Sequence, residues 1–194
     1  MILAAGESKR LGQAKQLVEI AGEPLIVHQC KSATATGYDV YCVLGCHKQQ
    51  IAPLTAELSV EVIINRKWWQ GMGSSIACAI KHIEQKKGLY EGALIMLADQ
   101  WRLTTMHLAA MIDSYQRNKQ QIVVAQGGKG DLTGPPVIFP QSLFCELKQL
   151  SGDEGAKSVI KNNKKRVQHF KLHEAFIDLD TPEQLIKMQA SSLQ

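Results

Sequence analysis

Three cations, Lys9, Arg10 and Lys15, fall in a stretch of small residues running from Ala4 through Gly6 and Gly12, directly after an apolar start. Main-chain N–H groups in a glycine-bearing turn approach anions closely, and flanking cations add charge, so the composition suits a polyphosphate. That points to nucleotide chemistry. Five residues separate Gly6 from Gly12, and Lys15 precedes Gln16. The P-loop places four residues between its glycines and then Lys-Ser/Thr, so this is not one. The dinucleotide fingerprint fails as well, because Gly6-Glu7-Ser8 stands where its first G-x-G belongs. Taken alone, the turn also reads as an ordinary surface loop.

Two acids give the cations a partner. Asp99 follows the apolar run Leu94–Ala98, which places its carboxylate where a strand leaves the core. Asp180 precedes Thr181-Pro182-Glu183. Either acid could simply cap the next helix, although at Asp99 four residues intervene before a helical pattern begins. The alternative is ligation of Mg²⁺, a hard cation that takes one or two carboxylates together with substrate phosphates. A phosphate cradle, cations and two strand-end acids describe metal-assisted transfer at phosphorus, with Arg10 and Lys15 offsetting charge on the phosphates. No Ser/His/Asp arrangement is legible, since the six histidines are scattered and no G-x-S-x-G elbow occurs.

The elements that must position these groups alternate. Apolar runs at 40–44, 60–64, 93–98, 122–125, 137–139 and 176–179 read as strands, with helical patterns in most intervals. Pro24 suits the first turn of a helix carrying Leu25, Ile26 and Cys30, and Gly73 or Ser74 the cap of one carrying Ile76, Ile80 and Ile83. Thr104 or Thr105 caps a third helix, with Leu108, Met111, Ile112 and Tyr115 facing inward, and Thr181 opens the last. Near-continuous apolar strands indicate a sheet covered on both faces, so the fold class is α/β with a mostly parallel sheet. In such sheets ligands sit beyond the carboxyl ends of the strands, which selects Ala4-Ala5, Gly45-Cys46-His47, Asn65, Asp99, Asp178 and Asp180.

With 194 residues, 45% hydrophobic, and no linker, repeat or low-complexity segment, the chain reads as one domain over residues 1–194. Its net charge of +4 is mild, and the basic run Lys161–Arg166 reads as a solvated helix end and the turn beyond it. Neither nucleic acid nor membrane is an expected partner, since no dense basic stripe occurs and no run approaches the roughly 20 apolar residues of a span. The five cysteines are odd in number, dispersed and mostly in apolar segments, and read as buried reduced thiols in a cytoplasmic protein. Cys42-x-x-x-Cys46-His47 lacks a second ligand pair for zinc.

These motifs resemble one family. The run Leu3-Ala4-Ala5-Gly6-x-Ser8-x-Arg10-x-Gly12-x-x-Lys15, followed by Gly22-x-Pro24-Leu25, resembles the MobA-like nucleotidyltransferase signature. Four further segments resemble its molybdenum cofactor cytidylyltransferase branch: Asn65-x-x-Trp68-x-x-Gly71-Met72-x-x-Ser75-Ile76, Leu97-Ala98-Asp99-Gln100, Leu150-x-Gly152-Asp153-x-Gly155-Ala156 and Ile177-Asp178-x-Asp180-Thr181-Pro182-Glu183. So does Gly134-x-Pro136-Val137-x-Phe139. The resemblance implies a single-domain, Rossmann-like, glycosyltransferase-A-like three-layer fold with a mostly parallel mixed sheet. It also implies transfer of CMP from CTP to molybdopterin with release of pyrophosphate, and a molybdoenzyme that receives the product. Carried onto this sequence, Leu3, Ala4, Ala5, Gly6, Arg10 and Lys15 would bind the nucleotide, and Gly71, Ser74 and Ser75 would enclose base and ribose. Asp99 and Asp180 would hold Mg²⁺, while Gly152, Asp153 and Gly155 would shape the molybdopterin side. Members that read guanine usually show Ala-Gly-Gly where this chain has Ala4-Ala5-Gly6, which favours CTP. A second phosphorylated acceptor, or a non-catalytic carrier of the cofactor, are the alternatives.

Two departures from the family pattern carry expectations. Trp101 stands where proline usually follows the metal-binding acid by two, which should free that loop and let the bulky indole reshape the acceptor pocket. Met1 immediately precedes Ile2-Leu3-Ala4, so the first strand should be short or clipped.

Overall fold

The computed structural model describes residues 1–8, 11–86, 88–128 and 132–177. Seven strands form a mixed sheet: β1 (Ile2–Ala4), β4 (Val40–Leu44), β5 (Val60–Ile64), β6 (Gly92–Leu97), β7 (Ile122–Gly127), β8 (Leu132–Pro140) and β9 (Val167–Lys171). A small antiparallel ribbon of β2 (Glu19–Ile20) and β3 (Glu23–Pro24) lies apart from it. The spatial order is β5-β4-β1-β6-β8-β7-β9. β8 alone runs against its neighbours, and the other pairings are parallel.

Strand β4 shows why the sheet is central. Val40, Cys42 and Leu44 face one apolar layer and Tyr41 and Val43 the other, so its period-2 alternation buries both faces. Helices α1 (Leu25–Thr34), α2 (Lys48–Thr55) and α4 (Thr105–Gln116) pack on the first face through Ile26, Ile51, Leu108 and Met111. Helices α3 (Met72–Glu84), α5 (Phe144–Leu147) and α6 (Lys157–Asn162) cover the second through Ile76, Ile80, Phe144 and Val159. The result is three layers.

Strand β1 is short, yet both of its ladders form: Leu3 pairs with Val43 on one side and Leu97 on the other. The chain leaves β1 for β4 on one side and returns to β6 on the other, so the strand order reverses at β1. A ligand crevice belongs at the carboxyl ends of β1 and β6.

Several sequence expectations need correction. The run 176–179 is not a strand over its described part, because Phe176 closes a 3₁₀ turn, His173–Phe176. The edge strand is instead Val167–Lys171, paired with β7 alone among the described strands. Helix α3 opens at Met72 with Gly71 as its N-cap, so the cap lies two residues before Gly73 and three before Ser74. Thr104 does cap α4, its hydroxyl accepting from His107 N at 3.5 Å. Of the cysteines only Cys30 and Cys42 are buried; Cys46 and Cys78 are half-buried and Cys145 is exposed, and all five are free thiols. Among the described residues no helix is long and apolar enough to cross a membrane.

Candidate active site

A cleft of about 610 Å³ opens at the reversal point, lined on one side by Leu3, Ala5, Gly6, Ser8, Lys15 and Asp99. Its other wall includes Trp68, Gly71, Met72, Ser75 and Asp153. That volume lies within the usual range for small-molecule sites.

The loop after β1 is braced by a residue that spacing alone did not single out. Gln16 is buried, and its amide Nε2 donates to the carbonyls of Ala4 at 3.1 Å and Gly6 at 3.2 Å. Two oxygens that would repel a phosphate are thereby engaged by a donor. Ser8 Oγ lies 3.4 Å from Gln16 Oε1 and accepts from Lys15 N at 3.2 Å, closing the turn on itself. Gly12 adopts φ +71°, as a glycine there permits, but Gly6 does not enter the left-handed region. Ser8 does, at φ +59°. Arg10 lies outside the described residues.

Asp99 leaves the end of β6 beside this loop. Its Oδ2 accepts from Lys15 Nζ at 2.5 Å, with the two side chains 12% and 20% exposed. Its Oδ1 is buried and has no hydrogen-bond partner among the described residues. A buried carboxylate oxygen left open is costly, and native proteins hold few such groups without a role. Its chemistry fits a hard divalent cation, which takes carboxylate oxygen and completes its shell with phosphates. No group of three or more His, Cys, Asp or Glu side chains that could hold a metal ion occurs among the described residues. Asp180 and Asp178 lie outside the described residues.

The loop carrying Asp99 is held, contrary to the expectation raised by Trp101. Gln100 is buried; its Nε2 donates to the carbonyls of Pro135 at 2.7 Å and Ala175 at 2.8 Å, and its Oε1 accepts from Leu97 N at 2.9 Å. The Trp101 indole does not line the cleft. It packs against Leu11, Val18, Ile20 and Leu25, with the Arg102 guanidinium 4.8 Å from its ring centroid. This half-buried packing of the indole against Ile20 of the β2–β3 ribbon and its neighbours helps hold the loop.

The second wall is built on α3. Asn65, buried at the end of β5, donates through Nδ2 to Ser74 Oγ at 2.9 Å and Ser75 Oγ at 3.0 Å, and accepts from Lys67 N at 2.9 Å. Ser74 Oγ also lies within hydrogen-bond distance of the Lys67 and Gly71 carbonyls, so its hydroxyl is spent on this loop, whereas Ser75 lines the cleft. Gly71 is required where it stands. It adopts φ +87°, and a Cβ there would lie 2.4 Å from Asp153 Oδ1 and from the Gly152 carbonyl carbon. Gly73 N donates to Gly152 O, and Gly152 N to Gln70 O, each at 2.8 Å. The structure thus brings Gly71–Ser75 and Gly152–Asp153, far apart in sequence, into one wall. Leu3 and Ala5 line the cleft, while Ala4 sits just behind them in the apolar core.

The chain is similar over nearly its whole length to proteins of diverse names. It is 27% identical to the purine catabolism protein PucB of Bacillus subtilis (strain 168), covering 95% of this chain and 92% of that protein. It is 24% identical to nicotine blue oxidoreductase of Paenarthrobacter nicotinovorans, covering 97% and 94% of the two chains. The crystal structure of Rv0371C complexed with manganese, from Mycobacterium tuberculosis H37Rv, shares the fold with a TM-score of 0.79 at 22% identity, covering 98% and 96%. The model of the MobA-like NTP transferase domain matches residues 1–169, and the chain belongs to that family.

Proposed function

We propose that this chain, acting as one nucleotidyltransferase domain over residues 1–194, transfers CMP from CTP to the phosphate of molybdopterin. The observation that carries the reading is the Lys15–Asp99 pair in the cleft lining, with one Asp99 oxygen left open beside the loop after β1. In the reaction an acceptor phosphate oxygen forms a bond to the α-phosphorus of CTP, the bond from that phosphorus to the bridging oxygen breaks, and pyrophosphate leaves with the electron pair.

The residues divide the work. Leu3 to Gly6 and Ser8 shape the phosphate cradle, held by Gln16. Lys15 places an ammonium where charge accumulates on the phosphates, and Arg10 is assigned beside it from the family signature. Asp99, with Asp180 by the same signature, would hold Mg²⁺, whose bound charge neutralises phosphate oxygens and is worth several kcal/mol in such transfers. The manganese in the Rv0371C structure supports a divalent cation. Gly71 and Ser75 frame base and ribose, with Ser74 bracing the turn behind them, and the Gly152–Asp153 loop faces the acceptor. Ala5, which puts a methyl on the cleft wall where guanine readers carry glycine, supports CTP over GTP.

Trp101 no longer motivates a different acceptor, because it packs outside the cleft. A carrier without catalysis has less need of a metal-binding acid, so the open Asp99 oxygen favours transfer. Purified protein given CTP, Mg²⁺ and molybdopterin should release pyrophosphate, and CTP should raise its melting temperature. Absence of both effects contradicts the proposal.

A further inference from the structure

The 3₁₀ turn Trp68–Gln70 carries two adjacent indoles, and both line the cleft. They are placed differently. Trp68 lies flush against Gly45, where an added Cβ would come within 2.5 Å of Trp68 Cβ and 2.6 Å of the Ala5 carbonyl oxygen. Trp69 meets Trp68 edge to face, with centroids 6.2 Å apart and planes at 83°, and remains 66% exposed.

The turn beneath them is fixed. Gln70 N donates to Lys67 O at 2.9 Å, Gly71 N to Trp68 O at 3.1 Å, and Gly152 N to Gln70 O at 2.8 Å. Trp69 is therefore an indole held on a rigid support at the cleft rim with most of its surface uncovered. Such a face is suited to stacking on another planar ring. Asp153 stands close by, its Oδ1 2.4 Å from where a Gly71 Cβ would be. A carboxylate accepts from adjacent N–H donors, which the 2-amino-4-oxo edge of a pterin presents. Cytosine offers one amino group beside two acceptors that a carboxylate would repel.

We infer that Trp69 stacks on the planar ring of the acceptor while Asp153 accepts from that ring's amino edge; the inference rests on the acceptor named in the proposed function. Trp69 is then a specificity-determining residue outside the family motifs.

The test uses 6-hydroxymethylpterin as the ring probe and Mg²⁺–CTP as the control, titrated calorimetrically into wild type, Trp69→Phe, Trp69→Ala and Asp153→Asn. Loss of a stacked ring should weaken pterin binding by about tenfold or more in Trp69→Ala, with Trp69→Phe within about threefold of wild type. Asp153→Asn should also weaken pterin binding, and CTP affinity should stay within about twofold for both tryptophan variants. Wild type that does not bind the pterin, Trp69→Ala that binds it as wild type does, or a loss of CTP affinity in place of pterin affinity each overturns the inference. The transfer reading fails separately, when wild type binds the pterin but releases no pyrophosphate from CTP and molybdopterin.

Discussion

The two ends of the central sheet treat certain of their polar groups in opposite ways. At the amino ends of the strands several charged and polar side chains find partners among the described residues. Glu61 accepts from His82 Nε2 at 2.5 Å and Lys86 Nζ at 2.6 Å, and Tyr90 OH donates to Asp39 at 2.7 Å. Tyr115 OH lies 2.9 Å from Glu91 O and 3.1 Å from Lys119 O. At the carboxyl ends lie a carboxylate oxygen with no partner among the described residues, a glycine at φ +87° pressed against a second loop, and an exposed tryptophan. Groups at the first end finish the fold; groups at the second wait for something outside it.

Asp99→Asn should produce the largest difference between the ends. The amide keeps an acceptor for Lys15 but loses the charge that would hold a metal, so turnover should fall by about three orders of magnitude or more. The melting temperature should barely change. A variant that unfolds while its residual activity per folded molecule is intact would move Asp99 to the structural side.

Gly71→Ala comes next. Strain at this φ and contact with the Gly152 backbone should cost on the order of 3 kcal/mol, measured by urea unfolding, with nucleotide and acceptor affinity falling together. A neutral substitution would show that the junction of the α3 and 152–153 loops is loose.

At the opposite end the effects should be smaller and confined to stability. Burial, with a lesser contribution from the Glu91 charge, pushes the Tyr115 phenol up to about 12. Its contribution is fully present below the ordinary tyrosine value of ~10 and is lost as pH rises from there through about 12. Tyr115→Phe should therefore flatten the alkaline decline in stability, read from paired unfolding curves at neutral and alkaline pH, while an assay at neutral pH finds activity unchanged.

Glu61→Gln should give the smallest change. The hydrogen bond from Lys86, then that from His82, holds the Glu61 carboxyl below its ordinary value. That contribution is present above the usual carboxylate value of ~4.3 and disappears as pH falls through the lower folded value. The pair is solvent-exposed, so the melting temperature should drop by about 2 °C or less at neutral pH, and the gap to wild type should close on acidification.

Much of the fold could be read from the chain, and the exceptions share a cause. Val40–Leu44 is an uninterrupted apolar run and Val60–Ile64 an apolar run broken only by Glu61, and both were legible as strands. Val167–Lys171 reads Val-Gln-His-Phe-Lys, and it is a strand because β7 offers it an edge, which no local pattern records. Phe176 belongs to an apolar run, but its neighbours His173–Ala175 form a turn that closes on Leu172. In the site, Lys15 and Asp99 were legible from charge at strand ends. Gln16, Asn65 and Gln100 act through buried amides whose partners are backbone carbonyls and hydroxyls from other segments. An amide in sequence looks the same whether it is solvated or buried, so their bracing emerges only with tertiary structure. Trp101 shows the reverse error, since an indole at a family-variant position drew attention to the cleft yet belongs to the packing against the β2–β3 ribbon.

The central claim is tested most directly by following the α-phosphorus. CTP labelled at that atom, incubated with Mg²⁺, molybdopterin and this protein, should pass its label to the pterin as pyrophosphate appears, with GTP a poor substitute and Asp99→Asn inactive. Label that stays in CTP, or moves to the pterin with Asp99→Asn as readily as with wild type, contradicts the account.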